Sequence, residues 1–337
     1  MVLKPEDYTV AWFAPLEIEA KVARHMLDHR HQGVFAVDRG DDYVFQAGDI
    51  AGHNVVIATL PAGQEYGTGS AAALAGQVKK SFPNLRFGLL VGVAAGLPKL
   101  VGEPPLRDIR LGDVLVALPQ GDSAGLVAYD LGKETAHGFE PLRLGHSLAM
   151  TETIIRSAIG NIKLDEPHES ELFLPYYDKI KGHRWVSGAS SGNFMDPGQG
   201  NDVLYDGDTA VRRPWRFESE RTRVWYGPIG SGEKLMRRAD QRNQLRDRFN
   251  IIGLEMEAAG TVNRIPVGVI RGVCDYGDER KNKEWQPYAA AMAGAFGKAV
   301  LYQIPPPLTT AASRVSSAPI NSNPTPTPQK TEIQMAD

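Results

Sequence analysis

Short apolar runs alternate with helical segments along most of this chain, and that alternation constrains the fold more than any other feature. "YTVAWFAP" reads as a strand. "LEIEAKVARHMLDH" reads as a helix with Ile18, Val22 and Met26 on one side, beside Ala23 and Leu27. "YVFQAGDIAGHNVVIATLP" reads as two strands around a turn at Ala51, Gly52, His53 and Asn54. Then come a helix in "GTGSAAALAGQVKKSF", a buried strand in "FGLLVGVAAG", a strand in "GDVLVALP" and the end of a helix in "IRSAIGNIK". The pattern resumes with strand "VWYGPIG", helix "GEKLMRRADQRNQLRDRF", strand "NIIGL", helix "EMEAAGTVN", strand "IPVGVIRGV" and helix "PYAAAMAGAFGKAVLYQ". Strands and helices in this order predict an α/β fold, a largely parallel sheet covered by helices.

Two stretches break the pattern. Residues 165–224 are polar and rich in turn formers, and read as an irregular insertion. From Pro305 the chain turns to Pro, Ser, Thr and Asn, too poor in large apolar residues to offset its ordering entropy. The expected organisation is one domain over residues 1–304 and a disordered tail over 305–337. A net charge of −3 gives no footprint for nucleic acid, and no apolar run is long enough to span a bilayer. The start, "MVLKPEDYTV", lacks the apolar core of a secretory signal, so a cytoplasmic location is expected. One cysteine, Cys274, excludes an intrachain disulfide and a Cys-rich zinc site. "HRHQ" lacks metal-ligand spacing and reads as surface loop, so no metal is expected.

Carboxylates sit where the chain is otherwise building core. Glu255 and Glu257 follow the strand "NIIGL", Asp275 follows "VGVIRGV", and Glu17 and Glu19 follow the first strand. A right-handed crossover between parallel strands would bring Glu257 and Asp275 to one rim of the sheet, where ligands of open α/β sheets bind. Acids in first turns also complement the helix dipole, which accounts for any one of them alone. Three strand ends delivering acids to one rim is the stronger signal. Glycines mark two further places. "GTGSAA", from Gly67, opens a helix whose amides would hold an anion or a sugar hydroxyl. "GVAAG", ending at Gly96, would let a ligand approach the strand backbone, or else marks tight packing. A dinucleotide reading fails, because no acid follows at the next strand end.

Taken together, "YTVAWFAPLEIEA", "HNVVIATLPAGQEYGTGSAAA", "FGLLVGVAAGLP", "RDIRLGDVLVALP", "YDLGK", "YGPIGSGEKLM", "LEMEAAG" and "VIRGVCDYGDERKNKEWQPYAAA" resemble the nucleoside phosphorylase / 5'-methylthioadenosine nucleosidase superfamily. They are most similar to its fungal branch, whose members often form the N-terminal domain of NLR-type proteins. The resemblance implies a three-layer α/β/α sandwich with a mixed, partly closed central sheet. It implies cleavage of the N-glycosidic bond of a purine nucleoside or nucleotide, no metal or organic cofactor, and a homo-oligomer. By the same resemblance Asp275 falls on the acid that protonates the purine, and Glu257 on the ribose-binding glutamate. Met256 falls beneath the sugar, and Leu235 and Met236 against the base, with leucine replacing the aromatic of the bacterial enzymes. Glu19 aligns with the glutamate that activates water in bacterial nucleosidases, while the fungal branch keeps Glu17.

The chemistry asks for such groups. A purine anion leaves poorly until its ring is protonated, which calls for a carboxylic acid at the base. The sugar becomes cationic as the bond breaks, and a carboxylate on its hydroxyls stabilises that charge. Water is the expected nucleophile, since Glu17 and Glu19 would repel phosphate. Phosphorolysis, with inorganic phosphate as co-substrate, is the alternative, and a nucleoside-binding sensor without turnover is another. Arg212, Arg213 and Arg216 in "VRRPWR" read as a solvated basic loop; closing over the site, they would point to AMP or ATP.

Overall fold

β5 (Phe87–Gly96) is buried along nearly its whole length, as its apolar run requires, and the sheet is built around it. The computed structural model describes residues 1–63, 66–136, 138–141, 148–187 and 190–307. The stretch expected to be a disordered tail lies, from residue 308 onward, outside the described residues.

The sheet has 11 strands in the order β14-β6-β17-β5-β1-β4-β3-β2, with β16, β15 and β7 joined beside β5. These are β1 (Val10–Phe13), β2 (His29–Arg30), β3 (Gln46–Ile50), β4 (His53–Ala58), β6 (Val114–Ala117), β7 (Leu126–Ala128), β14 (Val224–Gly227), β15 (Ile229–Ser231), β16 (Gly253–Glu255) and β17 (Val267–Asp275). Three small hairpins stand apart: β8 and β9 (Gly132–Thr135, Gly138–Pro141), β10 and β11 (Trp185–Ser187, Ser190–Gly192), and β12 and β13 (Tyr205–Asp206, Thr209–Ala210). The described helices are α1 (Glu17–Met26), α2 (Thr68–Ser81), α3 (Thr153–Lys163), α4 (Ser170–Ile180), α5 (Ala239–Phe249), α6 (Ala258–Thr261) and α7 (Gln286–Tyr302). The architecture is a three-layer α/β/α sandwich on a mixed sheet, with no closed barrel among the described residues. α7 is apolar on all sides and buried from Tyr288 to Leu301, packed on β17 and β5 and covered by α1, α3 and α4.

The sheet is less parallel than the alternation predicts. β17 runs parallel to β5, with Arg271 opposite Gly92 and Asp275 opposite Ala95. β16 runs antiparallel to β5, with Leu254 also opposite Ala95. A parallel crossover therefore does not bring Glu257 and Asp275 together. Instead β16 and β17 both pair with Ala95 near the end of β5, one on each edge, which sets the residues that follow them at that end of the sheet.

Residues 165–224 hold α4, packed on α7, and a set of arginines that are not solvated. Arg216 Nη1 and Nη2 reach the Asp113 carboxylate at 2.5 and 3.0 Å, with the arginine side chain 3% exposed. The same carboxylate accepts the Arg110 and Arg223 amides and Trp225 Nε1, so every lone pair is engaged. Arg213 reaches Asp202 and the Tyr276 hydroxyl, each at 2.9 Å. The expectation of a solvated basic loop is thus wrong for Arg213 and Arg216. Their acidic partners lie far off in the chain, where local composition gives no hint of them. Arg212 is exposed.

Candidate functional site

The site begins where β1 ends. β1 pairs with β5 only as far as Phe13 opposite Leu90, and β16 takes up that edge only at Ala95, so the stretch between has no strand partner there. The first turn of α1 supplies one. Glu19 Oε1 accepts the Val93 N–H at 2.8 Å and Oε2 accepts the Leu16 N–H at 2.8 Å. The carboxylate thereby caps its own helix from the third position and seals a sheet edge. Glycine at position 92 makes room for it. A Cβ there would meet Glu19 Oε1 and lie 2.6 Å from Arg271 Nη1.

Arg271 is the centre of the cluster. It points from the middle of β17 and its side chain is fully buried. It ion-pairs with Glu255, donates to Glu257 Oε2 at 3.1 Å, and lies 3.9 Å from Glu19 Oε1. Glu255 also accepts the Glu257 and Ala258 amides, which fixes the turn between β16 and α6. Three carboxylates thus surround one guanidinium, and Arg271 Nε and Nη1 have no hydrogen-bond acceptor among the described residues. Burial opposes the Arg271 charge, but Glu255, Glu257 and Glu19 more than offset it. Burial also raises the Glu19 carboxyl above its ordinary range, against the pull of Arg271. Glu257 is pushed up to about 7 by burial, with Arg271 opposing and Glu255 and Glu19 reinforcing.

Asp275 ends the same strand. Its Oδ1 accepts the Gly277 N–H at 2.8 Å, and its Oδ2 takes the Cys274 thiol at 3.2 Å and Lys281 Nζ at 3.0 Å. Burial beside Asp275 keeps that thiol protonated. Lys281, Leu235, Met236, Glu255 and Met256 wall a cavity of about 30 Å³, floored by Ala95 and Leu254. These are the two β5 and β16 residues in register with each other, and Ala95 is also opposite Asp275. Sites for small-molecule ligands are typically about 300–1,000 Å³. This cavity has room for a water or two and not for a nucleoside.

The structure therefore gathers Glu19, Glu257, Met256, Met236, Leu235 and Asp275 at the end of β5. Three other expected residues are turned away from this group or already engaged. Glu17 faces outward, 65% exposed, and pairs with Lys21 at 2.8 Å. It lies two positions from Glu19 on α1, on another side of the helix. Gly96 is a packing residue, since a Cβ there would lie 2.6 Å from Val273 Cγ1 and 2.9 Å from Ile109 Cγ2. Gly67, at φ +100°, does open α2, but the helix amides beyond it are already occupied. Glu233 accepts the Thr68 N–H at 2.8 Å, the Gly69 N–H at 3.2 Å and the Thr68 hydroxyl. Sequence reasoning assigned no role to Arg271 or Glu255. The signal for Arg271 was present: a charge in the middle of a nine-residue buried strand requires buried counter-charges.

No family model matches the chain. A nucleotide-binding leucine-rich repeat (NLR)-like protein of Hyaloscypha variabilis is 35% identical over 315 residues, a match covering 90% of this chain. The chain spans only 30% of that relative's length. Among solved structures, the 5'-methylthioadenosine/S-adenosylhomocysteine nucleosidase of Neisseria meningitidis, in complex with methylthio-immucillin-A, superposes with TM-score 0.57 at 18% identity. That match covers 90% of this chain and all (100%) of the other. The futalosine hydrolase of Helicobacter pylori gives TM-score 0.58 at 15% identity over 88% of this chain and 98% of its own.

Proposed function

We propose that this chain, which has the fold of the nucleoside phosphorylase / 5'-methylthioadenosine nucleosidase superfamily, cleaves the N-glycosidic bond of a purine ribonucleoside with water as nucleophile. One observation carries the reading: Glu19 and Glu257 converge on Arg271, in the strand that ends in Asp275. In this reading Asp275 donates a proton to the departing base, and Glu257 accepts hydrogen bonds from the ribose hydroxyls. Met256, Met236 and Leu235 hold the sugar and base. Glu19 takes the proton from a water that Arg271 orients.

Water is favoured over phosphate by the way the cations are engaged. Arg271 is surrounded by three carboxylates, Lys281 is paired with Asp275, and the α2 amides are capped by Glu233. An anionic nucleophile would face three carboxylates around Arg271 and would have to displace Asp275 from Lys281 and Glu233 from the α2 amides. Arg213 and Arg216 are likewise held by Asp202 and Asp113, which favours a nucleoside over its 5'-phosphates.

A second reading, a nucleoside sensor without turnover, draws on the small cavity, the Lys281–Asp275 pair and the NLR-like relative. Chromatography of adenosine, guanosine, inosine and ATP incubated with the purified protein, with and without phosphate, separates the readings. Free ribose is expected. Ribose 1-phosphate would replace hydrolysis by phosphorolysis, and unchanged nucleoside with measurable binding would favour the sensor. Asp275→Asn should slow turnover by roughly 10²–10⁴. Full activity in that variant would remove Asp275 from the reaction.

A further inference from the structure

The side chains around the cavity beside Asp275 offer a ligand donors rather than acceptors. Its charged lining is Lys234, Lys281 and Glu255. Glu255 is already spent, because Arg271 and the Glu257 and Ala258 amides hold its two oxygens. Leu235, Met236, Met256 and Leu254 bring no strong hydrogen-bonding group. The two lysines remain.

Lys281 is the better placed. It stands in the cavity wall with Asp275 behind it, its Nζ 3.0 Å from Oδ2. An ammonium has three N–H donors, and Asp275 is the one acceptor that Lys281 Nζ meets among the described residues. Its side chain is 19% exposed, so the remaining donors can reach an incoming group. The loop that carries it is held by turn bonds: Asp278 Oδ1 accepts the Arg280 N–H at 3.1 Å, and the Asp278 carbonyl accepts the Lys281 N–H at 3.3 Å. Lys234 is exposed and leans to the Phe139 ring, 5.7 Å from its centroid. Asp275 has little left to accept with, since Oδ1 takes the Gly277 N–H and Oδ2 takes Lys281 and the Cys274 thiol. A donor arriving beside Asp275 therefore meets an ammonium, and an acceptor meets an N–H.

We infer that Lys281 selects the leaving base, and that the substrates are 6-oxopurine nucleosides, inosine and guanosine, in preference to adenosine. This rests on the nucleosidase reading, which brings a purine to Asp275. A 6-oxopurine presents two neighbouring acceptors, N7 and O6, whereas adenine presents the N7 acceptor beside its N6 amino donor. With N7 at Asp275, the C6 substituent lies toward Lys281. O6 accepts from the ammonium, while an amino group there would oppose donor to donor.

Chromatography of inosine, guanosine and adenosine incubated with the full chain gives kcat/KM for each. Inosine and guanosine should exceed adenosine by at least about tenfold, the worth of one charge-assisted hydrogen bond. Lys281→Met keeps the reach of the side chain and removes its donors, so the ratio should fall toward one whatever happens to total turnover. Lys281→Arg keeps a cationic donor and should keep the preference. Each ratio is taken within one variant, so a folding defect cancels. Calorimetry with the free bases hypoxanthine and adenine makes the same comparison without turnover, and reads any variant that is inactive. Adenosine cleaved as well as inosine overturns the role of Lys281 and leaves the nucleosidase reading standing, as does a preference that survives Lys281→Met. An absence of turnover in the parent fells that reading instead, and base binding then decides. Tighter binding of hypoxanthine supports Lys281, and equal binding or none overturns it.

Discussion

Two buried ion networks in this molecule use the same residue types to opposite ends. Around Asp113, one carboxylate is saturated by Arg216, Trp225 and backbone amides. Around Arg271, one guanidinium faces three carboxylates and keeps donors without acceptors among the described residues. The first network balances its charge, with Arg216 Nε alone left without an acceptor among its groups, and joins distant parts of the chain. The second carries surplus negative charge in a buried place, which is the arrangement that shifts protonation and stabilises a developing cation. A charge cluster is thus better judged by its balance than by its size.

Substitutions can break or sharpen this contrast. Asp113→Ala leaves Arg216 buried and unpaired, and should destabilise by about 3–5 kcal/mol. Urea unfolding should show the loss, with turnover per folded molecule nearly intact. Equal loss of turnover would erase the distinction between the networks. Glu257→Gln should act in the opposite sense. The Glu257 carboxyl is raised to about 7, so its contribution to stability is full below its ordinary value near 4.5 and is lost as pH rises through 7. Relative to the parent, the glutamine variant should gain on the order of 2 kcal/mol between pH 5 and 8, while losing nucleoside binding. Parallel stability curves across that window would mean that the carboxylate is not strained. Glu17→Gln removes an exposed pair with Lys21 and should change stability by no more than about 0.5 kcal/mol, with turnover unchanged. A large effect on turnover would return Glu17 to the site.

Much of this could be read in the chain beforehand. The apolar run of β5 and the acids after strand ends locate the sheet and its working edge, because burial and first-turn chemistry are local signals. Glu19, Glu257 and Asp275 were expected at that edge by an argument whose topology the structure does not share. Strand direction is a tertiary property, and three-residue β16 carries no local mark of running antiparallel. Arg271 escaped attention because its strand was read for hydrophobicity alone. Arg213 and Arg216 were misjudged because polar composition signals solvent only when no distant partner exists. Gly67 and Gly96 show the same weakness, since a glycine reports that something comes close without reporting what.

The cavity of about 30 Å³ beside Asp275 has a kinetic consequence. Under the proposed function a nucleoside enters only after Lys281 and the residues around Met236 draw apart, so that proposal predicts a receptive form that is a minority species at rest. Apparent affinity is then the intrinsic affinity scaled by that minority fraction. Observed association rates should level off with concentration at the opening rate. Compounds that win that contest will be those that hold the parted form, whether or not they imitate the sugar.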